Sequence, residues 1–322
     1  MTRLALKFAL VVTAAWPAIA LSTSASCGPE EKDAFTDLEY VNWQRAVEAY
    51  DKGFGPLTSQ AVPTLLDRAG FQKDGVLVSG MLKEVGSLLD VACGPGQVLD
   101  AAIALAGSGG AYTALDFSPN FLRLAQERLS AKYPNTPDRV TLKFALGVAE
   151  AMPLRDNAFD AVTSNFGILH LSDPDAFLAE SYRVLKPGGR LAFSAWAAPP
   201  ATEGFDLILG AVNAAGNPNV PLPAGPPFFQ YADPATVRQA LAKAGFVDAD
   251  VTTVDWMEWH VDSADELYEI FLEGTARTRE LLRGQTDTEA EAVREELKRR
   301  FGERRGARLR MPAVVSSGQK PL

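Results

Sequence analysis

Between Ser87 and Trp196 short apolar runs alternate with amphipathic stretches of helical period, and no other feature of the chain narrows its fold so far. Residues 87–92 form a strand-length apolar run that breaks at Cys93-Gly94-Pro95-Gly96 and resumes as a helix over 98–106. A second strand over 111–115 ends in Asp116. Ser118 then reads as an N-cap with Pro119 at the first helical position, and Phe121, Ala125 and Leu129 repeat every four residues along one face. Strands over 140–146 and 159–165 flank an acidic turn around Asp156. A helix opened by Asp173-Pro174 carries Phe177, Leu178, Tyr182 and Leu185, closes at Lys186-Pro187-Gly188-Gly189, and leads into a strand over 190–196. Strand, helix and strand at this spacing demand right-handed crossovers, hence a largely parallel α/β sheet covered on both faces.

The flanks extend this unit. Apolar positions from Phe35 to Tyr50 recur at helical spacing until Gly53-Phe54-Gly55-Pro56 stops them, and a second helix over 59–69 ends at Gly70. Residues 197–233 break the rhythm with Pro, Gly and aromatics, including Pro226-Pro227-Phe228-Phe229; a segment this long in a compact domain reads as a lid or substrate wall. A helix over 234–244, a strand over 246–256, a helix over 263–282, a charged helix marked by Ala290, Val293, Leu297 and Phe301, and a strand over 307–315 complete the chain. The expected organisation is one domain over 31–322: N-terminal helices at 31–70, a core at 86–196, a cap from 197–233 and 257–304, and a last strand within 307–317.

Composition sets the partner class. Forty acidic against 31 basic side chains leave a net charge of −9, and 47% of the 322 residues are hydrophobic. That describes a globular chain with a full core and argues against a generic nucleic-acid binder, which normally carries a basic stripe. Two cysteines, Cys27 and Cys93, and two histidines, His170 and His260, are too few for a thiolate zinc site or a disulfide framework, so no metal is expected. Residues 1–30 have signal-peptide grammar: Arg3 and Lys7, an apolar run over 8–21, then Ser24, Ala25 and Ser26. Cleavable export, an organellar transit peptide and a retained hydrophobic arm all fit this stretch, which is too short for a comfortable membrane span and is expected outside the fold.

The glycine loop has two competing ligand classes. Glycine lets the backbone approach a ligand with no Cβ in the way, and the following helix offers free N–H groups. Asp116, twenty residues beyond Gly96, can accept hydrogen bonds from both ribose hydroxyls. Both features suit NAD. The dinucleotide fingerprint, however, needs a third glycine where Leu99 stands, because close helix–strand packing around a pyrophosphate depends on it.

Four motifs give the chain a family resemblance. Residues 88–96 (LLDVACGPG) resemble motif I of class I S-adenosylmethionine-dependent methyltransferases, and 114–119 (ALDFSP) resemble its post-I motif. Residues 149–154 with Phe159-Asp160 resemble the acidic-loop and strand-four region, and 183–190 (RVLKPGGR) the turn before strand five. The resemblance covers about 35–196 and is nearest to the ubiquinone/menaquinone-biosynthesis-like group of small-molecule methyltransferases. It implies a Rossmann-like seven-stranded sheet ordered 3-2-1-4-5-7-6 with strand seven antiparallel, and S-adenosylmethionine as cofactor. Residue by residue, it puts the methionine end against Asp90, Ala92, Gly94 and Gly96, the ribose on Asp116, and the adenine between Phe117 and Ala149-Glu150. Asn165 and Phe166 face the methionine part and the acceptor, and Tyr50 closes over the cofactor. Many relatives carry an acid before Ala149 to bind the adenine amine; Val148 stands there in this chain. The stretch from Gly75 to Gly86 is also longer than is usual in the family.

The implied reaction is an SN2 methyl transfer to a small hydrophobic or aromatic acceptor. An activated methyl donor requires mainly alignment and exclusion of water, with a base where the acceptor carries a proton. His170, five residues beyond Asn165, is the candidate base, set against an ordinary helix-start histidine. His260, in the aromatic run 256–259, reads as packing on the cap, and Cys93 as a small loop residue. Phe228, Phe229, Tyr231, Trp256 and Trp259 are candidates for the acceptor wall. Two other functions compete: an NAD(P)-dependent oxidoreductase, and a catalytically silent module that binds S-adenosylmethionine. The cofactor favours an intracellular or organellar place of action, whereas residues 1–30 allow export or membrane association. The sequence leaves the oligomeric state open.

Overall fold

The computed structural model describes residues 34–322 except 74, 79–80, 84–85, 107–108, 135–139 and 305–307. The leader-like reading of 1–30, and Cys27 with it, lies outside the described residues.

Seven strands make the central sheet: β1 Ser87–Val91, β2 Gly110–Asp116, β3 Val140–Leu146, β4 Phe159–Asn165, β5 Leu185–Trp196, β6 Val247–Val254 and β7 Ala313–Gln319. Their order is β3-β2-β1-β4-β5-β7-β6, which is 3-2-1-4-5-7-6. Strand β7 runs antiparallel to both its neighbours, and the other pairings among β1 to β5 are parallel. Burial follows position. All five residues of β1 are buried at the sheet centre, whereas edge strand β3 alternates between half-buried and exposed.

Among the described residues ten α-helices of seven residues or more cover the sheet and build the cap: α1 Ala34–Gly53, α2 Val62–Arg68, α3 Gln97–Ala106, α4 Pro119–Lys132, α5 Pro174–Val184, α6 Glu203–Ala215, α7 Pro234–Lys243, α8 Ala264–Gly274, α9 Arg277–Arg283 and α10 Asp287–Gly302. Local chemistry starts them. Ser118 Oγ accepts from the Phe121 amide at 3.2 Å and Asp173 from that of Ala176 at 3.0 Å, each with Pro at the first helical position. Thr286 and Glu289 form a reciprocal capping box on α10. No described helix is long and apolar enough to cross a membrane.

Several boundaries differ from the sequence reading, each for a local reason. Strand β5 begins at Leu185 rather than 190, because Gly188 and Gly189 exchange backbone hydrogen bonds with Lys320, prolonging the pairing of the β7 tail. A register shift against β4 between Phe159 and Ala161 absorbs the turn-like Lys186-Pro187-Gly188-Gly189. The helix read over 263–282 is two. Thr275 is extended, and its hydroxyl donates to Phe271 O at 2.6 Å and accepts from the Arg279 amide at 3.2 Å, so side chain replaces backbone at the break. The last strand is also two: Met311-Pro312 separates Arg308–Arg310, which pairs with Glu258–His260, from β7. Residues 197–233, expected to be irregular, contain α6, whose Phe205, Leu207, Ile208, Ala211 and Val212 are buried; the flanking Pro and Gly masked that face. The long stretch after Gly70 is a small antiparallel sheet of Phe71–Gln72, Gly75–Val78 and Met81–Lys83.

Candidate functional site

A cavity of about 440 Å³ opens at the carboxyl ends of β1, β2 and β4, the crevice where open α/β sheets bind ligands. Motif residues line one lobe and the cap lines the other.

The first lobe begins where β1 ends. Ala92 and Gly94 both have positive φ, +54° and +51°. A Cβ at Gly94 would meet no atom within 4 Å, so the loop leaves open room on its cavity side. Gly96 (φ +84°) serves differently: a Cβ there would come within 3.1 Å of Ala125 and 3.3 Å of Leu129, so this glycine lets α4 pack closely and does not line the cavity. Asp116 ties the loop to β2, accepting the Gly94 amide at 2.9 Å on Oδ2 and the Ser118 amide at 2.8 Å on Oδ1. Each oxygen keeps a lone pair for a ligand.

Burial dominates the electrostatics. Asp90 is 1% exposed; its Oδ1 accepts from Thr163 Oγ1 at 2.9 Å, and its Oδ2 is buried with no hydrogen-bond partner. Desolvation pushes its pKa up to about 8, with the charge of Asp116 adding to the effect. Desolvation likewise lifts Asp116 to about 6 against three backbone N–H donors. Glu150 is also raised by burial, while its Oε1 accepts from the Ser172 amide at 3.2 Å and pins its loop to the start of α5. Burial, then the nearby Asp116 and Asp90, push the Cys93 thiol well above its ordinary value, which keeps it protonated and inert. Tyr50, raised by burial to about 12, shares a 3.3 Å hydrogen bond with Thr58.

Phe117, Ala149 and Val148 complete this lobe. Asn165 lines it too, but its amide is already engaged: Nδ2 donates to Thr58 O at 3.1 Å and Oδ1 accepts from Ser194 Oγ at 2.7 Å. Its observed work is to lock β4, β5 and the turn before α2 together. Phe166, at φ +57°, stacks on Trp196 with ring centroids 4.0 Å apart and forms the floor between the lobes.

The second lobe is apolar. Leu171, Trp196, Phe205, Leu209, Phe228 and Phe229 line it, with Thr275, Arg277 and Thr278 at the helix break between α8 and α9. Of the five aromatics proposed for the acceptor wall only Phe228 and Phe229 reach the cavity. Tyr231 packs on Phe193, Trp259 packs on Phe54 and Phe271, and Trp256 is 56% exposed. Nor does His260 pack on the cap; its ring is largely exposed beside Asp262 at 3.1 Å. His170 does line the cavity, and it has a partner that the sequence could not reveal: Nδ1 lies 3.0 Å from Oε2 of Glu39, a fully buried residue of α1. Trp43, Gln97, Trp196, Phe205 and Arg277 are further lining residues that sequence reasoning missed, because nothing local marks a core-like aromatic, or the first polar residue of a helix, as facing a void.

Comparison with known proteins follows the same line. Residues 89–193 match the family model described as a methyltransferase domain. Over 128 residues the chain is 38% identical to the demethylmenaquinone methyltransferase of Clavibacter sepedonicus, covering 39% of this chain and 48% of that protein. Over 103 residues it is 41% identical to the ubiquinone/menaquinone biosynthesis C-methyltransferase of Methylobacterium nodulans, covering 32% and 39%. The chain thus spans about half the length, or less, of the curated relatives it matches. Among solved structures it superposes on Haemonchus contortus phosphoethanolamine N-methyltransferase 2 in complex with S-adenosyl-L-methionine, with a TM-score of 0.52, 21% identity, and coverage of 91% of this chain and 61% of that one; this likeness speaks to the fold. Residues 89–193, which hold the glycine loop and strands β2 to β4, thus match a methyltransferase domain, and the sheet order of the whole chain is the one the resemblance to class I S-adenosylmethionine-dependent methyltransferases implies. Over this stretch the chain is similar to demethylmenaquinone and ubiquinone/menaquinone-biosynthesis methyltransferases.

Proposed function

We propose that the chain is an S-adenosylmethionine-dependent methyltransferase acting on a small, hydrophobic or aromatic acceptor. The observation that carries the cofactor reading is the charge of the first lobe. Three acids, Asp90, Asp116 and Glu150, line it, and the one Lys or Arg among the described lining residues is Arg277, in the other lobe. A dinucleotide pyrophosphate would find carboxyl groups and no countering cation there, whereas an α-ammonium or a sulfonium would meet carboxyl oxygens and favour the ionised form of the buried Asp90. The orphaned Oδ2 of Asp90 and the open room at Gly94 fit such a cationic ligand. The oxidoreductase alternative has no support from the comparisons, and Leu99, wholly buried in α3, leaves the dinucleotide fingerprint incomplete.

When bound, S-adenosylmethionine supplies a methyl group already activated on sulfur. Asp90 and Gly94 would hold the methionine end, Asp116 the ribose, and Phe117, Ala149 and Glu150 the adenine. Tyr50, Trp43 and Phe228 wall the cavity from α1 and the cap and keep water out. Phe166, stacked on Trp196, would orient an aromatic acceptor where the lobes meet. His170 would take a proton from an acceptor that carries one.

The deciding experiment is incubation with methyl-labelled S-adenosylmethionine and a metabolite extract, alongside calorimetry with S-adenosylhomocysteine. Binding plus label in a lipophilic small molecule supports the proposal. Binding without label in any acceptor points to the silent module, and label only in protein or RNA overturns the acceptor class.

A further inference from the structure

Resting on the methyltransferase reading above, we propose that Glu39 is a positioning residue which, with His170, makes the acceptor side of the cavity a proton-accepting site for a hydroxyl, of the phenol or enol type, to be O-methylated.

The two residues are 131 positions apart, and α1 brings them together. Trp43, one turn after Glu39, donates its indole N–H to Glu39 Oε2 at 2.8 Å. An indole nitrogen can only donate, so Oε2 is an acceptor there, and its other lone pair faces His170 Nδ1 at 3.0 Å. That arrangement puts the proton of the neutral imidazole on Nδ1 and leaves Nε2 with a lone pair. Among the described residues Nε2 meets no hydrogen-bond partner, and the His170 side chain, 22% exposed, borders the cavity. The ring is also fixed mechanically: Trp43 packs edge-on at 4.8 Å and Phe228 at 5.7 Å. An imidazole with one nitrogen on a buried carboxylate, its plane set by two aromatic rings and its other nitrogen free, has the form of a base held ready.

The arrangement is also costly, which separates it from simple helix docking. Glu39 is 0% exposed and its Oε1 is buried without a partner, so the fold carries an incompletely satisfied acid where glutamine or an apolar side chain would dock α1 as well. A carboxylate at this place gains its use when the imidazole becomes positive. The other titratable or charged groups bordering the cavity are Asp90 of β1, Asp116 of β2, Glu150 of the loop after β3, Arg277 of α9, and Tyr50 and Cys93. Among the described residues none of them pairs with His170; Glu39 is the acid that does.

The step balances as follows. The acceptor O–H bond breaks and its proton passes to Nε2. The freed oxygen pair forms the O–CH₃ bond, while the pair of the breaking C–S bond stays on sulfur. Products are a methyl ether, a neutral thioether and an imidazolium paired with Glu39, which returns its proton to water. The acceptor class follows from this proton and from the aromatic second lobe.

The test measures methyl transfer by wild type, Glu39→Gln, Glu39→Asp and His170→Gln to two kinds of probe. One is a set of alkylphenols and naphthols, which keep their proton to about pH 10 as tyrosine does. The other is a nitrophenol, already ionised in mildly alkaline buffer. Glu39→Gln and His170→Gln are expected to lower kcat for the protonated phenols by about 100-fold, leave KM within about threefold and spare the nitrophenolate, with Glu39→Asp recovering part of the loss. Equal slowing of both probes would mean a merely structural role and overturn the proposal, as would methylation of amines or thiols with no transfer to any hydroxyl. Imidazole ¹⁵N shifts of wild type give an independent reading, since the chain has only two histidines: a proton on Nε2 rather than Nδ1 in the neutral ring also overturns it. S-adenosylhomocysteine calorimetry on the same proteins keeps the two readings apart. Its failure in wild type sinks the methyltransferase assignment, whereas binding together with a failed probe comparison sinks only the dyad.

Discussion

The two lobes of the cavity are built by opposite means. In the first, polar groups come from the carboxyl ends of β1 and β2 and from the turn after β3, and each is fixed by neighbours a few residues away or on the next strand, as when Asp116 grips Gly94 and Ser118. The second is walled by α1, α6, the Phe228-Phe229 loop and the break between α8 and α9, segments scattered over the chain. Short-range construction yields a site with little freedom to change, whereas long-range construction lets the wall vary while the sheet stays. Ligand chemistry divides accordingly: acids and bare backbone on one side, aromatic surface on the other.

If that division holds, the largest effect should come from Asp116→Ala. It would remove the acceptor for the Gly94 and Ser118 amides as well as for the ribose, and it should weaken S-adenosylhomocysteine binding by about 100-fold or more in calorimetry. Undiminished affinity would break the comparison at its root. Next come the two glycines of one loop. Gly94→Ala meets no clash in the fold but sets a side chain at φ +51°, where it costs about 1–2 kcal/mol and projects into the ligand space; a modest fall in Tm with about tenfold weaker binding is expected. Gly96→Ala adds contacts at 3.1 and 3.3 Å from α4, so its loss should be in thermal stability first.

A pH profile sharpens the electrostatic half of the contrast. The folded pKa of Asp90, about 8, lies above its ordinary value of 3.8, so the protonated group favours the fold and this contribution is lost as pH rises through about 8. Thermal melts of the free protein should therefore fall across that range. A cationic ligand favours the ionised carboxylate, so affinity for S-adenosylhomocysteine should increase over the same interval, by up to about tenfold. Parallel rather than opposed trends would remove Asp90 from the ligand's ammonium.

Smaller still, and confined to the second lobe, is Trp196→Leu. It removes the ring that Phe166 stacks on, and should raise the KM of an aromatic acceptor several-fold while leaving cofactor affinity alone. A matching loss of cofactor binding would show that the lobes are not energetically separate.

The same division explains what could be read beforehand. The order of the seven strands and nearly all of the first lobe are legible because each βα turn carries its own glycine, acid or cap within a few residues. Even there tertiary pairing adds what the turns do not show: Gly96, not among the cavity's lining residues, packs α4, and the amide of Asn165, which does line the cavity, is engaged by Thr58 and Ser194. The second lobe was named by composition alone, and Tyr231, Trp256 and Trp259 went elsewhere because aromatic content does not say which face is buried. Glu39 was invisible; on α1 it is one more acid in an amphipathic pattern until the fold sets it beside His170.

Val148 is the finest test of how fixed the first lobe is. It occupies the position where the resemblance calls for an acid to bind the adenine amine, and its side chain borders the cavity while remaining 39% exposed. Val148→Asp restores that acceptor at a site open enough to keep a carboxylate hydrated, so the added hydrogen bond is a modest one and the three existing acids oppose it only weakly. S-adenosylhomocysteine should bind about threefold more tightly to this variant, with inosine-type analogues, which lack the exocyclic amine, gaining nothing. Equal gains for both ligands would mean that the new charge acts on the amino-acid end of the ligand, and that the adenine is held by the backbone around Ala149.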